Sequence, residues 1–210
     1  MADELVFFTN PRSRGRIVRW MLEEVGQPYH TEVMQYGTTM KDPAYLAVNP
    51  MGKVPALRHG TAVVTEAAAI CTYLADAFPQ AQLAPPPGDR LRAPYYRWIF
   101  FAAGPVEAAV TNKTFGFNVP AEREPSIGYG NFGKIMNVLE QAVSQSPYLL
   151  GDSFTAADVY VGSHVGWGLG LQTLPPRDAF LSYAGRLTTR EAYVRAVAKD
   201  EALLTRSGGS

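Results

Sequence analysis

Pro85-Pro86-Pro87-Gly88 divides this chain into two stretches whose apolar residues follow different periods. A run of prolines is stiff and lacks backbone donors, so packed elements have to stop on either side of it. Before it, strand-like and helix-like patterns alternate. Beyond it, only helical spacing recurs. That contrast leaves few architectures open, and the simplest is a small α/β domain followed by an all-helical one. We read residues 1–80 as the first domain, 81–89 as a linker and 90–210 as the second domain.

Within the first stretch, Leu5 to Thr9 is a compact apolar run, the expected first strand. Asn10-Pro11 breaks it. Ile17, Val18, Met21, Leu22 and Val25 then form a helical stripe, which places Arg16, Arg19, Glu23 and Glu24 mostly on the opposite face. Gly26 is positioned to cap that helix, and Pro28 follows it. Residues 29–34 predict a second strand, and a helical turn is expected near 43–47. Two short strands, 56–58 and 62–64, are joined by His59-Gly60-Thr61, a hairpin signal. An alanine-rich helix over 66–77 follows, with Ile70, Tyr73 and Leu74 inward. The order β-α-β-(α)-β-β-α predicts a mixed four-stranded sheet with three helices. A right-handed crossover makes the first two strands parallel, and the hairpin adds an antiparallel edge. After the linker, helices are predicted over 92–109, 132–143, 155–171 and 189–198. Thr155-Ala156-Ala157-Asp158 has capping-box spacing, with Phe154 and Val159 at the staple positions. That motif is a folding signal and is given no catalytic role.

Several function classes are disfavoured. The chain has 19 basic and 19 acidic side chains among 210 residues. No basic face is announced, which argues against a nucleic-acid partner. Cys71 is the single cysteine. It cannot form an internal disulfide and is expected as a small core residue of the third helix, not a nucleophile. His30, His59 and His164 lack metal-ligand spacing, so no metal is expected. Met1-Ala2-Asp3-Glu4 is acidic where a secretory leader is basic and then apolar. No apolar run reaches membrane-spanning length. A cytoplasmic enzyme is the expectation, with Ser207-Gly208-Gly209-Ser210 an unstructured tail.

Three segments together carry a family pattern. They are Pro11-Arg12-Ser13-Arg14-Gly15-Arg16-Ile17-Val18-Arg19-Trp20-Met21-Leu22-Glu23-Glu24; Asn49-Pro50-Met51-Gly52-Lys53-Val54-Pro55-Ala56-Leu57 with Glu66-Ala67-Ala68-Ala69-Ile70; and Tyr148-Leu149-Leu150-Gly151-Asp152-Ser153-Phe154-Thr155-Ala156-Ala157-Asp158. In this order and separation the chain resembles the cytosolic glutathione S-transferases, in a bacterial form. The resemblance implies a thioredoxin-like N-terminal domain, an all-helical C-terminal domain, and glutathione as co-substrate. It also implies a small hydrophobic electrophile as second substrate, and a homodimer.

The resemblance further implies a cis bond before Pro55 and pairing of Val54 N–H and C=O with the cysteinyl backbone of glutathione, like an added strand. Glu66 and residue 67 would hold the γ-glutamyl end. Family members commonly carry Ser where this chain has Ala67, which leaves only a backbone N–H there. Lys53 and Lys41 are candidates for the glycyl carboxylate; each also reads as a plain solvated lysine. A free thiol titrates near about 8.5 and has to be lowered to react. The family uses Tyr, Ser or Cys at the start of the first helix, and Gly15 falls where many serine-type members place the serine. Ser13 is the first candidate donor; a helix cap is its other role, and the two can coexist. Arg14 and Arg16 are the alternates, acting by charge. Thr9 and Asn10 lie at the strand end. Asn10, Phe101, Pro105, Phe115 and Phe117 are candidates for the electrophile pocket. Glu107 stands in the helix from which some relatives lend an acid to the neighbouring subunit. The competing possibility is a non-catalytic glutathione-binding or protein-interaction module on the same scaffold. The missing hydroxyls at Gly15 and Ala67 favour it, and Lys53-Val54-Pro55 with Glu66 oppose it.

Overall fold

The computed structural model describes residues 3–207. Its four strands are β1 (Leu5–Thr9), β2 (His30–Val33), β3 (Ala56–His59) and β4 (Ala62–Thr65). They form one sheet in the order β2-β1-β3-β4, with β1 parallel to β2 and β3 antiparallel to both its neighbours. This is the mixed four-stranded sheet expected from the pattern, in the thioredoxin-like form that the resemblance implies. β1 is buried along its whole length, as a central strand covered on both faces must be. Its Val6 and Phe8 pack with Met34, Met40, Tyr45 and Ala56 in one apolar layer. The helices of this part are α1 (Gly15–Val25), the short α2 (Pro43–Leu46) and α3 (Ala67–Ala77). Gly26 ends α1 with φ 72° and donates its N–H to the Leu22 carbonyl, the predicted cap.

Beyond the prolines come α4 (Arg92–Phe101), α5 (Glu107–Phe115), α6 (Phe132–Ser144), α7 (Ala156–Gly170), α8 (Asp178–Thr188) and α9 (Glu191–Ser207). The single helix expected over 92–109 is interrupted by a π-helical turn, Ala102–Val106, that contains Pro105. Proline has no N–H to donate, so the regular ladder cannot run through it. α8 was not among the expected helices. Asp158 holds the start of α7. Its buried carboxylate accepts from the Thr155 N–H at 3.0 Å, the Leu149 N–H at 2.8 Å and the Tyr183 hydroxyl at 2.8 Å. The Thr155–Asp158 capping box is present.

The chain divides into two compact units. One holds the chain up to Leu83 together with the chain from Thr189 onward; the other is Ala84–Thr188. α9 therefore belongs to the unit built on the sheet. It extends past the expected end at 198 and includes Ser207, the first residue of the tail expected to be unstructured. The rest of that tail lies outside the described residues.

α9 also supplies the partners of the charged face of α1. Arg19 and Glu23 are buried, at 2 % and 7 % exposure. Arg16 and Arg19 pair with Glu201 and Asp200, and Glu23 and Glu24 pair with Lys199, Arg195 and Arg190. Rising numbers on α1 meet falling numbers on α9, so the two helices form an antiparallel charge zipper. Arg190 grips Glu24 with two parallel bonds of 2.7 and 2.8 Å, the planar fork geometry of guanidinium on carboxylate. A charged face that meets a complementary helix reads in sequence like a solvated one.

Candidate active site

Strand register assembles the site. Phe8 pairs with Ala56, and Ala56 pairs with Thr65. The residues just after β1, just before β3 and just after β4 therefore emerge at one end of the sheet. They are Asn10 to Ser13, Val54 and Pro55, and Glu66 and Ala67. Three adjacent strands span about 10 Å at the usual spacing, and three extended residues reach about the same length.

Val54 sits at the middle of that row. The Val54–Pro55 peptide is cis, as the resemblance implies. Among the described residues no hydrogen bond uses the Val54 N–H or C=O. The preceding turn is held from below. The Tyr45 hydroxyl donates to the Lys53 carbonyl at 2.6 Å, and the Asn49 amide donates to the same oxygen at 2.8 Å. Burial of Tyr45 pushes its phenol up to about 12, so it stays a donor. Tyr45 and Asn49 were not singled out from sequence. The available signal was Asn49 before Pro50, an Asx-turn opening, and its side chain does accept from the Met51 N–H at 3.1 Å. The side chain of Lys53 is exposed, and Lys41 donates to the Gly52 carbonyl at 3.2 Å.

At the third position of the row, Glu66 has φ 68° and ψ 120°. A non-glycine residue held there costs about 1–3 kcal/mol, and such strain persists only where the surroundings enforce it. Its side chain is exposed, no side chain caps α3, and the N–H groups of the first turn point out of the helix start. A helix N-terminus of this kind is a site for anions. A carboxylate beside it suits an ammonium. One residue pair thus offers both halves of an amino-acid recognition site.

At the first position, the turn 10–14 is closed by its own side chains. Ser13 donates its hydroxyl to the Asn10 carbonyl at 2.7 Å and accepts the Gly15 N–H at 2.9 Å. Ser13 thus closes the turn that leads into α1; the N-cap position expected of it falls to Arg14, and no side chain caps that helix. Asn10 is buried; its amide donates to the Met34 carbonyl at 2.8 Å and accepts the Arg12 N–H at 2.9 Å. Arg16 spends its guanidinium on the Pro11 carbonyl and on Glu201. Arg14 is exposed. Gly15 has no room for a side chain: a Cβ there would lie 1.9 Å from Thr9 Oγ1. The strand's own threonine fills the space a serine would need. Cys71 is fully buried, and burial pushes its thiol up, away from reactivity.

The remaining candidates lie in the other unit. Phe101 ends α4, Pro105 lies in the π turn, and Phe115 and Phe117 are exposed with ring centroids 6.3 Å apart. Glu107 lies 3.9 Å from His164. Among the described residues, no cluster of three or more His, Cys, Asp or Glu is placed to hold a metal ion, and no helix is long and apolar enough to cross a membrane.

Residues 13–77 match the model of the glutathione S-transferase N-terminal domain. The chain is 32 % identical over 143 residues to the glutathione S-transferase GstA of Escherichia coli O157:H7, covering 65 % of this chain and 70 % of that protein. It is 28 % identical over 174 residues to the glutathione S-transferase GST-4.5 of Xanthomonas campestris pv. campestris, covering 78 % and 82 %. Among solved structures, a glutathione transferase from Methylococcus capsulatus str. Bath superposes with a TM-score of 0.77 at 27 % identity, over 94 % of this chain and 99 % of that one. Sheet order, the row of residues at the sheet end and these likenesses agree: the chain belongs to the glutathione S-transferase family.

Proposed function

We propose that this protein is a glutathione transferase that binds glutathione as an extra edge against Val54, ionises its thiol at the start of α1, and directs the thiolate at a small hydrophobic electrophile. The observation that carries the reading is the open backbone of Val54, set by register between the opening of α1 and the N-terminus of α3. Main-chain pairing supplies affinity in strand addition. Glu66 and the first-turn N–H groups of α3 take the ammonium and carboxylate of the γ-glutamyl end, with Ala67 contributing only its N–H. Lys53 meets the glycyl carboxylate.

Activation of the sulfur falls to Ser13. Its hydroxyl rotates its proton from the Asn10 carbonyl to the sulfur, and the N-terminal dipole of α1 adds to the effect. Lowering a thiol by two pH units is worth about 2.7 kcal/mol. Phe101, Pro105 and Phe115 hold the electrophile. The working form is a cytoplasmic homodimer, which sedimentation checks directly.

Calorimetric titration with glutathione tests the reading. Saturable binding at millimolar concentration or below is expected, weakened in Glu66→Ala. No saturation leaves only the scaffold, the interaction-module alternative. Conjugation of a generic aromatic halide tests the chemistry. Ser13→Ala is expected to lose about a hundredfold in kcat/KM, the usual cost of removing one donor to a developing anion. Full activity in that variant reduces Ser13 to a turn residue.

A further inference from the structure

Resting on the glutathione-binding reading above, we propose that the C-terminal helix sets the geometry of the thiol-activating turn, with Arg16 as the positioning residue and Glu201 as its anchor. Arg16 Nε donates to the Pro11 carbonyl at 2.6 Å, and Arg16 Nη2 donates to Glu201 Oε1 at 2.5 Å. Both donors belong to one rigid plane. The Pro11 carbonyl is thereby fixed relative to α9. From Pro11 the linkage continues inside the turn, where Ser13 N–H and Ser13 Oγ both meet the Asn10 carbonyl, at 3.0 and 2.7 Å. The far side of the turn is already tied, since the Asn10 amide donates to Met34. The turn is therefore held at two points, one of them through Arg16 to Glu201, 185 residues beyond that arginine.

Glu201 is well placed to anchor although its own side chain is 55 % exposed. Its neighbour Asp200 is buried and paired with buried Arg19 at 3.0 Å, which pins the backbone of α9 at this level. The Arg16–Glu201 pair itself adds little stability, because exposed pairs rarely do. Its effect belongs to geometry, where a misplacement of about 1 Å costs up to about a hundredfold in rate. The charged groups that interact with Arg16 are Asp200 and Glu201, both from α9, and Arg19 of α1 shares Asp200 with it.

The sign of one shift separates positioning from simple charge. Glu201→Gln removes a negative charge near the sulfur. A pure charge effect would make the thiol more acidic. Loss of positioning makes it less acidic, because Ser13 and the start of α1 no longer meet the sulfur squarely. The test is the pH profile of kcat/KM for glutathione with an aromatic halide, alongside the melting temperature. The variants are Glu201→Gln, Arg16→Lys, which keeps the charge and loses the fork, and Arg195→Ala, which breaks the zipper further along, at Glu23. The expected result is a profile moved to higher pH, with about tenfold lower kcat/KM at neutral pH, in Glu201→Gln and Arg16→Lys but not in Arg195→Ala. Melting temperatures of Glu201→Gln and Arg195→Ala are expected to be alike. A Glu201→Gln profile that coincides with wild type, or moves to lower pH, overturns the proposal while the glutathione reading stands. A wild type that neither binds nor turns over glutathione overturns both.

Discussion

At Gly15, where the resemblance places the serine of serine-type members, β1 fills the side-chain space with Thr9. Thr9 Oγ1 is buried and has no hydrogen-bond partner among the described residues. Gly15→Ser is therefore expected to destabilise the fold by about 1–3 kcal/mol, as overpacking does, with no gain in conjugation rate. Combining it with Thr9→Ala is expected to recover most of that loss, a non-additive pair readable by urea unfolding. At Glu66 the expected trade is reversed. Glu66→Gly relieves the positive φ, so stability is expected to rise by about 1 kcal/mol, while calorimetry shows weaker glutathione binding. Ser13, Val54 and Glu66 were nominated through the family resemblance, and a turn, an X-Pro bond and a helix start mark their places in the sequence. The strain at Glu66 had no such mark, since glutamate is not a residue type that announces a left-handed backbone. Nor did the intrusion of Thr9, which reads as an ordinary strand residue.

Among the elements, α1 shows where periodicity stops informing. Its apolar stripe was legible because five residues recur at helical spacing. Its charged face was not, because a single helix pattern cannot distinguish water from a complementary partner. α8 was legible in principle, through Phe180, Tyr183 and Leu187, all buried; the prolines at 175 and 176 obscured its start. The zipper has a pH signature. Burial pushes the Glu23 carboxyl up, but hydrogen bonds from Lys199, Tyr29 and Arg195 outweigh it and hold the group below its ordinary 4.5. A depressed carboxyl stabilises the fold above its unfolded value, and that stability is lost as pH falls through the folded one. Burial raises Asp200 above 3.8 despite Arg19, so its contribution runs the opposite way, declining as pH rises. Glu23→Gln is expected to flatten the fall in melting temperature between about pH 6 and pH 3.

At the level of the whole molecule, the two units are not two consecutive lengths of chain. The path leaves the first unit at Leu83 and returns to it at Thr189. The change of period across the prolines was visible in sequence, but the return was not, because nothing in a helical pattern names the element it packs against. Limited proteolysis within the Pro85–Asp89 stretch is expected to yield two fragments that stay together on gel filtration. The longer fragment still supplies α9 to the first unit through its ion pairs with Arg16, Arg19, Glu23 and Glu24. Immediate separation of the fragments under native conditions would count against that.

The same return path has a consequence during synthesis. A ribosome that has finished the sheet, α1 and α3 has not yet translated the arginines, lysine and acids that complete them. Until Glu201 has cleared the exit tunnel, the nascent polypeptide carries unneutralised charges along α1. Products terminated before α9 are thereby left without a finished first unit, however much of the chain precedes the stop.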